Sequence, residues 1–187
     1  MSFTIAELKI NGLKVITPKS YNDQRGIFYE SYKKSDFEMI GIKCEFVQTN
    51  VSISKLNVLR GLHYQKQPHA QAKLVTVVKG AILDVAVDIR KDSPSFGKYQ
   101  IIELREDDGK MFWIPEGFAH GFLSLRDDTK VIYWVTSEYS PSHERGIIWN
   151  DQSIGIKWPN VTPLLSEKDL KFKKLDEADI NFTYGVI

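Results

Sequence analysis

Residues 46–64 read FVQTNVSISKLNVLRGLHY, which is two short runs rich in Val, Ile and Leu separated by Ser, Lys and Asn. Similar runs, bounded by Gly, Pro, Asp and Ser, occur along most of the chain. They cover Gly26–Tyr32, Phe46–Ile53, Asn57–Tyr64, Lys73–Val78, Ala81–Ile89, Tyr99–Leu104 and Lys130–Thr136. Short strands at close spacing are typical of all-β sandwiches and barrels. The sequence therefore predicts an all-β fold.

Two helical segments and two turns interrupt these predicted strands. Helical patterns cover Ser35–Ile40 and the end segment from Ser166 onward. Lys79-Gly80 lies between two apolar runs and predicts a tight turn or bulge, and Asp107-Asp108-Gly109 predicts a hairpin. Because no internal repeat or long linker occurs, we expect residues 1–187 to form a single domain.

Charge and composition exclude several classes of function. Lys plus Arg number 25 and Asp plus Glu 24, giving a net charge of +1, whereas nucleic-acid binders usually carry a strong basic excess. The single cysteine, Cys44, excludes an intramolecular disulfide and fits a reducing cytosol. The first residues, MSFTIAELKI, lack a signal-peptide pattern, and no apolar run approaches the ~18 residues of a membrane span. We expect a cytoplasmic protein that binds neither nucleic acid nor membranes.

The run from residue 47 to residue 54 alternates between polar and apolar side chains. In a strand, Gln48, Asn50, Ser52 and Ser54 share one face, and the residues between them share the other. The polar face has two interpretations. It is either a stripe exposed to solvent or a polar wall inside the mouth of a barrel, where small ligands commonly bind.

His63 is the first candidate for chemistry, because Arg60 lies three residues before it. A titratable base beside a guanidinium suits an anionic ligand that undergoes proton transfer. Strict alternation would place Arg60 and His63 on opposite faces of the strand. Both can line one pocket only if the strand bulges, and Gly61 is the residue that a bulge would use.

His120 lies in a Pro-x-Gly-x-x-His pattern that begins at Pro115 and resembles the second half-motif of the cupins, which often bind a metal. The first cupin half-motif requires His-x-His, whereas here His63 is followed at the second position by Gln65. Neither His69 nor any glutamate stands where the missing ligands should be. The ligand set is therefore incomplete, so we expect no metal, and a metal-dependent cupin is the alternative.

Ser166 and Asp169 precede the apolar Leu170 with the spacing of a helix capping box. Capping alone would explain the carboxylate of Asp169. It would not explain a role for that carboxylate opposite His63.

Together these stretches resemble the dTDP-4-dehydrorhamnose 3,5-epimerases, a family of metal-free cupin-like enzymes. The matching segments are Asp23–Gly26, Phe28–Glu30, Val47–Asn50, Val58–Gln65, Gln71–Val75, Asp84–Arg90, Ser93–Gly97, Ile114–Phe122, Tyr133, Trp149–Asp151, Ile154–Ile156 and Leu165–Asp169. The resemblance as a whole covers the chain from about residue 8 to about residue 172. The family usually carries Asp where this chain has Thr49, but Gln48 and Asn50 are kept.

The resemblance implies a cupin-like jelly-roll β-barrel or sandwich of antiparallel sheets with a few short helices. It also implies four catalytic residues. His63 matches the base that removes protons beside the C4 ketone of the sugar, and Asp169 matches the carboxylate that orients it. Lys73 matches a cation facing the developing enolate, and Tyr133 matches the acid that returns a proton to the opposite face of the ring.

The resemblance further implies nine substrate-binding residues. Arg25 and Arg60 match contacts to the diphosphate, and Tyr139 matches the aromatic ring that stacks on the thymine. The other matching positions are Glu30, Gln48, Asn50, His120, Glu144 and Lys168.

Taken singly, several of these residues have simpler interpretations. Arg25 and Glu30 could form a surface ion pair, Lys73 could be a solvated strand residue, and Tyr133 and Tyr139 could fill the core. Their joint occurrence in order along the chain favours the functional interpretation.

We therefore expect a cofactor-free epimerase that converts dTDP-4-keto-6-deoxy-D-glucose to dTDP-4-keto-L-rhamnose. The resemblance also implies a homodimer, in which an N-terminal strand crosses to the partner subunit. Three alternatives remain open: a monofunctional 3- or 5-epimerase, a metal-dependent cupin, and a sugar-binding module without activity.

Overall fold

The structure is a computed structural model that describes residues 2–185. In that range it contains thirteen strands, one α-helix and two short 3₁₀ helices. The first strands are β1 (Phe3–Glu7), β2 (Lys14–Pro18), β3 (Ser20–Asp23), β4 (Gly26–Tyr29), β5 (Gln48–Ser54) and β6 (Leu59–Gln65). The later strands are β7 (Lys73–Lys79), β8 (Ala81–Asp88), β9 (Tyr99–Arg105), β10 (Met111–Ile114), β11 (Phe118–Ser124), β12 (Thr129–Val135) and β13 (Glu144–Gly146). The helices are α1 (Lys34–Met39) and the 3₁₀ helices Asp169–Lys171 and Leu175–Glu177.

The strands form two antiparallel sheets packed face to face. One sheet has six strands in the order β1-β2-β10-β7-β12-β5, and the other has five in the order β13-β6-β11-β8-β9. Strands β3 and β4 form a separate hairpin. The all-β prediction is confirmed, and the architecture is the cupin-like jelly roll.

The interior between the sheets is apolar over most of its length. Val75, Val77 and Val131 from the six-stranded sheet pack against Ala86 and Phe122 from the five-stranded sheet, and all five are buried. Burying a valine or phenylalanine side chain contributes about 1.5–3 kcal/mol. At one end of the sandwich polar side chains take over these inward positions, and there the interior opens into a cavity.

Part of the outer face of each sheet is also covered. Helix α1 packs Phe37 against Leu74 and Trp113 on the six-stranded sheet. The C-terminal segment packs Ile180 and Phe182 on the five-stranded sheet. In residues 2–185, no helix has the length and apolar character needed to cross a membrane.

The seven apolar runs quoted above all contain observed strands, with ends that differ by at most a few residues. The helix predicted at Ser35–Ile40 is confirmed as α1. The turn at Lys79-Gly80 is also confirmed, because β7 ends at Lys79 and β8 begins at Ala81, with Gly80 at φ +83°. Next to this turn, between Lys130 and Val131, the pairing of β12 with β7 shifts register.

Two predictions about local structure are wrong. The segment from Ser166 onward forms only short 3₁₀ turns instead of an α-helix, because it packs along the barrel and pairs through isolated bridges. The turn Asp107-Asp108-Gly109 does not close a hairpin. Strand β9 before it pairs with β8, whereas β10 after it pairs with β2 and β7 in the other sheet. The turn residues favour a chain reversal but do not specify the partner strand.

Candidate active site

The cavity at the open end of the sandwich has a volume of about 520 Å³ and continues into a smaller recess of about 220 Å³. The five residues that line both spaces are His63, Lys73, Tyr133, Tyr139 and Glu144. Arg60, His120, Lys168 and Asp169 complete the predicted set in the larger space, and Gln48 and Asn50 line the recess. Eleven of the thirteen predicted site residues therefore meet in one cleft.

The two sheets contribute opposite walls of this cleft. His63 and His120 come from β6 and β11 of the five-stranded sheet, where they lie directly opposite each other across the strand pair. Lys73 and Tyr133 come from β7 and β12 of the six-stranded sheet. The polar side chains of β5 face inward, as the interpretation of a barrel-mouth wall predicts, and Val51 on the other face is 62% exposed.

A bulge in β6 brings Arg60 and His63 to the same cavity. His63 pairs with His120 and Arg60 pairs with Phe122, so that three steps along β6 match two steps along β11. Gly61 lies inside the bulge at φ +127°, a conformation that favours glycine. A Cβ atom there would lie 2.5 Å from the Cα of Gly121. The bulge predicted at Gly61 is confirmed.

His63 is paired with a buried carboxylate. Its Nε2 lies 2.7 Å from Oδ1 of Asp169, and the Asp169 side chain is 4% exposed. Burial opposes ionisation of Asp169, but hydrogen bonds from His63, Ser166 and the backbone of Gly61 outweigh burial and hold its pKa below the usual value. An ionised carboxylate at this distance orients the imidazole and stabilises its protonated form.

The hydrogen bond of the predicted capping box is present, but it does not begin an α-helix. The backbone N–H of Asp169 donates to Oγ of Ser166 at 3.1 Å. It serves a single 3₁₀ turn, Asp169–Lys171, which contacts β6. The turn therefore serves to place the carboxylate of Asp169 against His63.

Lys73 is buried, with 8% of its surface exposed, so it is not a solvated strand residue. Burial lowers the pKa of its ammonium group to about 8, although the nearby carboxylates of Asp84 and Glu144 partly oppose this shift. Lys73 is thus an amine that is held in the cavity and changes its charge near pH 8.

Asp84 is a site residue that the sequence did not single out. It is fully buried, and its Oδ1 lies 2.6 Å from Nε2 of His120. Its Oδ2 has no hydrogen-bond partner in the described part of the chain. Burial lowers the pKa of His120 despite the carboxylate. The signal in the sequence that could have identified Asp84 is its position as the one carboxylate in the otherwise apolar run 81–87.

Tyr133 on β12 pairs in register with Asn50 on β5 and with Val75 on β7. Burial raises the pKa of its hydroxyl, with smaller and opposing effects from Arg60 and Glu144. The phenol is therefore protonated at neutral pH and can donate a proton. It lies on the sheet opposite His63.

Two groups of polar side chains in the cleft are hydrogen-bonded internally. The hydroxyl of Tyr139 donates to Oε2 of Glu144 at 2.7 Å, and Nζ of Lys168 donates to Oε1 of the same carboxylate at 2.7 Å. Nε2 of Gln48 donates to Oδ1 of Asn50 at 2.8 Å. The ring of Tyr139 is 52% exposed at the cleft entrance, so it does not fill the core.

Two of the predicted binding residues, Arg25 and Glu30, do not line the cleft of their own chain. Arg25 is 86% exposed at the tip of the β3–β4 hairpin. Its guanidinium pairs with Asp23 at 2.6 Å, so the simpler interpretation of an Arg25–Glu30 ion pair is wrong.

The residues of the cleft do not form a metal site. In residues 2–185, no three His, Cys, Asp or Glu side chains lie close enough together to hold a metal ion. Gln65 occupies the position of a cupin ligand, but its carboxamide is hydrogen-bonded to three backbone groups.

This arrangement can move protons to and from a carbon acid, because it has a base on one wall and an acid and a cation on the other. Fold and cleft together define a cupin-like isomerase. Residues 7–177 match the model of one protein family, described as dTDP-4-dehydrorhamnose 3,5-epimerase. The chain belongs to this family.

Individual relatives agree with the family match. The dTDP-4-dehydrorhamnose 3,5-epimerase of Shigella flexneri is 48% identical over 176 residues, which cover 94% of this chain and 97% of that protein. The crystal structure of the Sulfolobus tokodaii enzyme has a TM-score of 0.89 at 47% identity and covers 96% of this chain and 99% of that one. The Legionella pneumophila enzyme in complex with dTDP-4-keto-L-rhamnose has a TM-score of 0.90 at 44% identity, covering 94% of both chains.

Proposed function

We propose that residues 1–187 act as one epimerase domain that converts dTDP-4-keto-6-deoxy-D-glucose to dTDP-4-keto-L-rhamnose. The observation that carries this proposal is the His63–Asp169 pair, which faces Tyr133 and Lys73 across a cleft large enough for a sugar. The product would serve dTDP-L-rhamnose synthesis and, through it, cell-surface polysaccharides.

The C4 ketone makes the hydrogens at C3 and C5 acidic. His63 takes one of these protons, and the electron pair of the C–H bond moves to the C4 oxygen as an enolate. Asp169 stabilises the imidazolium that forms. Lys73, in its charged form, stabilises the enolate oxygen from a buried position on the opposite sheet.

Inversion requires a proton from the face opposite the base. Tyr133 supplies it from the other sheet, and the electron pair of the enolate forms the new C–H bond. The tyrosinate then regains a proton from solvent, while His63 releases its proton. Repeating the cycle at the second carbon completes the 3,5-epimerisation.

The remaining residues bind the nucleotide and orient the sugar. Arg60 forms charge-assisted hydrogen bonds to the diphosphate, and the exposed ring of Tyr139 stacks on the thymine. The sugar and nucleoside contacts come from Gln48, Asn50, His120, Glu144 and Lys168.

The function is tested by incubating the purified chain with dTDP-4-keto-6-deoxy-D-glucose, with and without EDTA, and identifying the product by NMR. We expect a product inverted at C3 and C5 and a rate that EDTA leaves unchanged, because His63 and Tyr133 supply the proton transfers and Lys73 supplies the charge that stabilises the enolate. A product inverted at one carbon would mean a monofunctional epimerase. Loss of activity in EDTA that a divalent ion restores would mean a metal-dependent cupin.

We propose a homodimer in which the β3–β4 hairpin of each chain completes the cleft of the other. The hairpin exposes Tyr21, Ile27 and Phe28 to 53%, 56% and 67%. Contiguous exposed apolar side chains of this kind mark interaction surfaces. In this arrangement Arg25 and Glu30 reach the partner's substrate.

Mixing two inactive variants tests the shared cleft. Arg25→Ala and His63→Asn should each be strongly impaired alone. After dissociation and reassociation in equal amounts, half of the dimers are mixed and hold one intact cleft, so about one quarter of wild-type activity should return. If no activity returns, Arg25 does not act on the partner's site.

We propose a cytoplasmic location, which the cysteine content supports. The only cysteine of the chain, Cys44, cannot form an intramolecular disulfide, which fits the reducing cytoplasm that we propose as its location.

A further inference from the structure

Gln65 is a buried polar residue that the proposed mechanism does not use. It ends β6, two residues after His63, and both side chains line the same cleft. Only 4% of its surface is exposed. A carboxamide at this depth must have its hydrogen bonds satisfied, because an unpaired buried polar group is destabilising.

The carboxamide of Gln65 makes three hydrogen bonds, all to backbone groups. Nε2 donates to the carbonyl of His69 at 2.6 Å and to the carbonyl of Glu138 at 3.1 Å. Oε1 accepts the N–H of Ser140 at 2.7 Å. Two of the three partners lie immediately before and after Tyr139.

Tyr139 is thus held by hydrogen bonds to the backbone on both sides of it, separately from the contact that its hydroxyl makes. It lies in the connection between β12 and β13, and its own N–H donates to Oε1 of Gln48 at 2.9 Å. Two glutamines therefore fix three consecutive residues. The ring projects from this clamp to the cleft entrance, restrained at its tip by Glu144.

We propose that Gln65 is a positioning residue that fixes the backbone around Tyr139 and so aims the phenol ring at the nucleobase of the substrate. The inference rests on the proposed function, in which Tyr139 stacks on thymine. Holding a binding group in its bound geometry before the ligand arrives raises affinity, because the ligand does not have to order it. A change at Gln65 should therefore alter nucleotide affinity and leave the positions of the proton-transfer groups unchanged.

Gln65→Met tests this, because methionine keeps the length of the side chain and removes all three hydrogen bonds. We expect the dissociation constant of dTDP and the KM of the dTDP sugar to rise about tenfold, in line with the loss of well-aligned stacking. The kcat should stay within about twofold of wild type, because no reacting group is removed. Affinity for inorganic pyrophosphate should not change. Gln100→Met, a matched change on the distant strand β9, should leave all four quantities unchanged.

A double-mutant cycle with Tyr139→Ala separates positioning from a general structural effect. In the Tyr139→Ala background, Gln65→Met should weaken dTDP binding no further. The proposal is overturned if dTDP affinity is unaffected by Gln65→Met, or falls equally with and without Tyr139. If Tyr139→Ala alone binds dTDP as wild type does, the stacking role in the proposed function fails instead.

Gln65→Glu provides a second readout should the methionine variant not fold. A protonated carboxyl can donate to the carbonyl of His69 or Glu138 and accept from the N–H of Ser140. An ionised carboxylate cannot donate, so it would be repelled by both carbonyl oxygens. The dTDP affinity of this variant, relative to wild type, should therefore fall as pH rises. A ratio that is constant with pH would overturn the proposal.

Discussion

Replacing His63 by asparagine should lower kcat at least about 10²-fold, the low end of the effect of removing a general base. Asparagine cannot accept a proton at neutral pH, so the step that forms the enolate loses its base. Its amide can still donate to the buried carboxylate of Asp169, which lies 2.7 Å from Nε2 of His63. The fold and dTDP affinity should therefore be retained.

The measurement for His63 combines steady-state kinetics with dTDP binding by calorimetry. His69→Asn is the matched control, because His69 is exposed and lies outside the cleft lining. We expect wild-type turnover from the control. Near-normal turnover of His63→Asn would mean that another group removes the proton.

Replacing Lys73 by methionine should lower kcat by about 10²–10³, the range found when a group that stabilises an oxyanion is removed. Methionine fits the buried position, since Lys73 is 8% exposed, but it provides no charge for the enolate oxygen. The loss should appear in kcat more than in KM, because the negative charge develops only during the reaction.

The pH dependence distinguishes a cation at Lys73 from a packing role. With a pKa of about 8, Lys73 is charged below that pH and neutral above it. The kcat/KM of the wild type should therefore fall on the alkaline side with a midpoint near pH 8, and Lys73→Met should lack this limb. Lys79→Met, at the exposed far end of β7, is the control. An unchanged alkaline limb in Lys73→Met would contradict the role of Lys73.

The sequence predicts the parts of the cleft that depend on local rules. Alternation along residues 47–54 separates the inward Gln48 and Asn50 from the outward Val51, because strand side chains change face at every residue. The bulge follows from the same rule, since Arg60 and His63 can share a cavity only if the strand gains a residue, and Gly61 tolerates the positive φ.

Contacts between distant parts of the chain could not be predicted in the same way. The pairing of Asp84 with His120 depends on β8 lying beside β11, which no local pattern specifies. The turn at Asp107 leads from one sheet to the other, and this could not be predicted either, because no local pattern specifies the partner strands of β9 and β10. Motif matching names Arg25 as a binding residue, whereas the structure places it outside the cleft of its own chain.

The most direct test of the central claim is the fate of the substrate hydrogens in heavy water. The chain is incubated with dTDP-4-keto-6-deoxy-D-glucose in D₂O, and NMR locates deuterium and configuration at C3 and C5. We predict deuterium at both carbons with inversion at both, and continued exchange with strongly slowed inversion, at C5 especially, in Tyr133→Phe. Tyr99→Phe, which removes a hydroxyl on β9, is the control. Binding without deuterium at either carbon would contradict an epimerase that acts through an enolate.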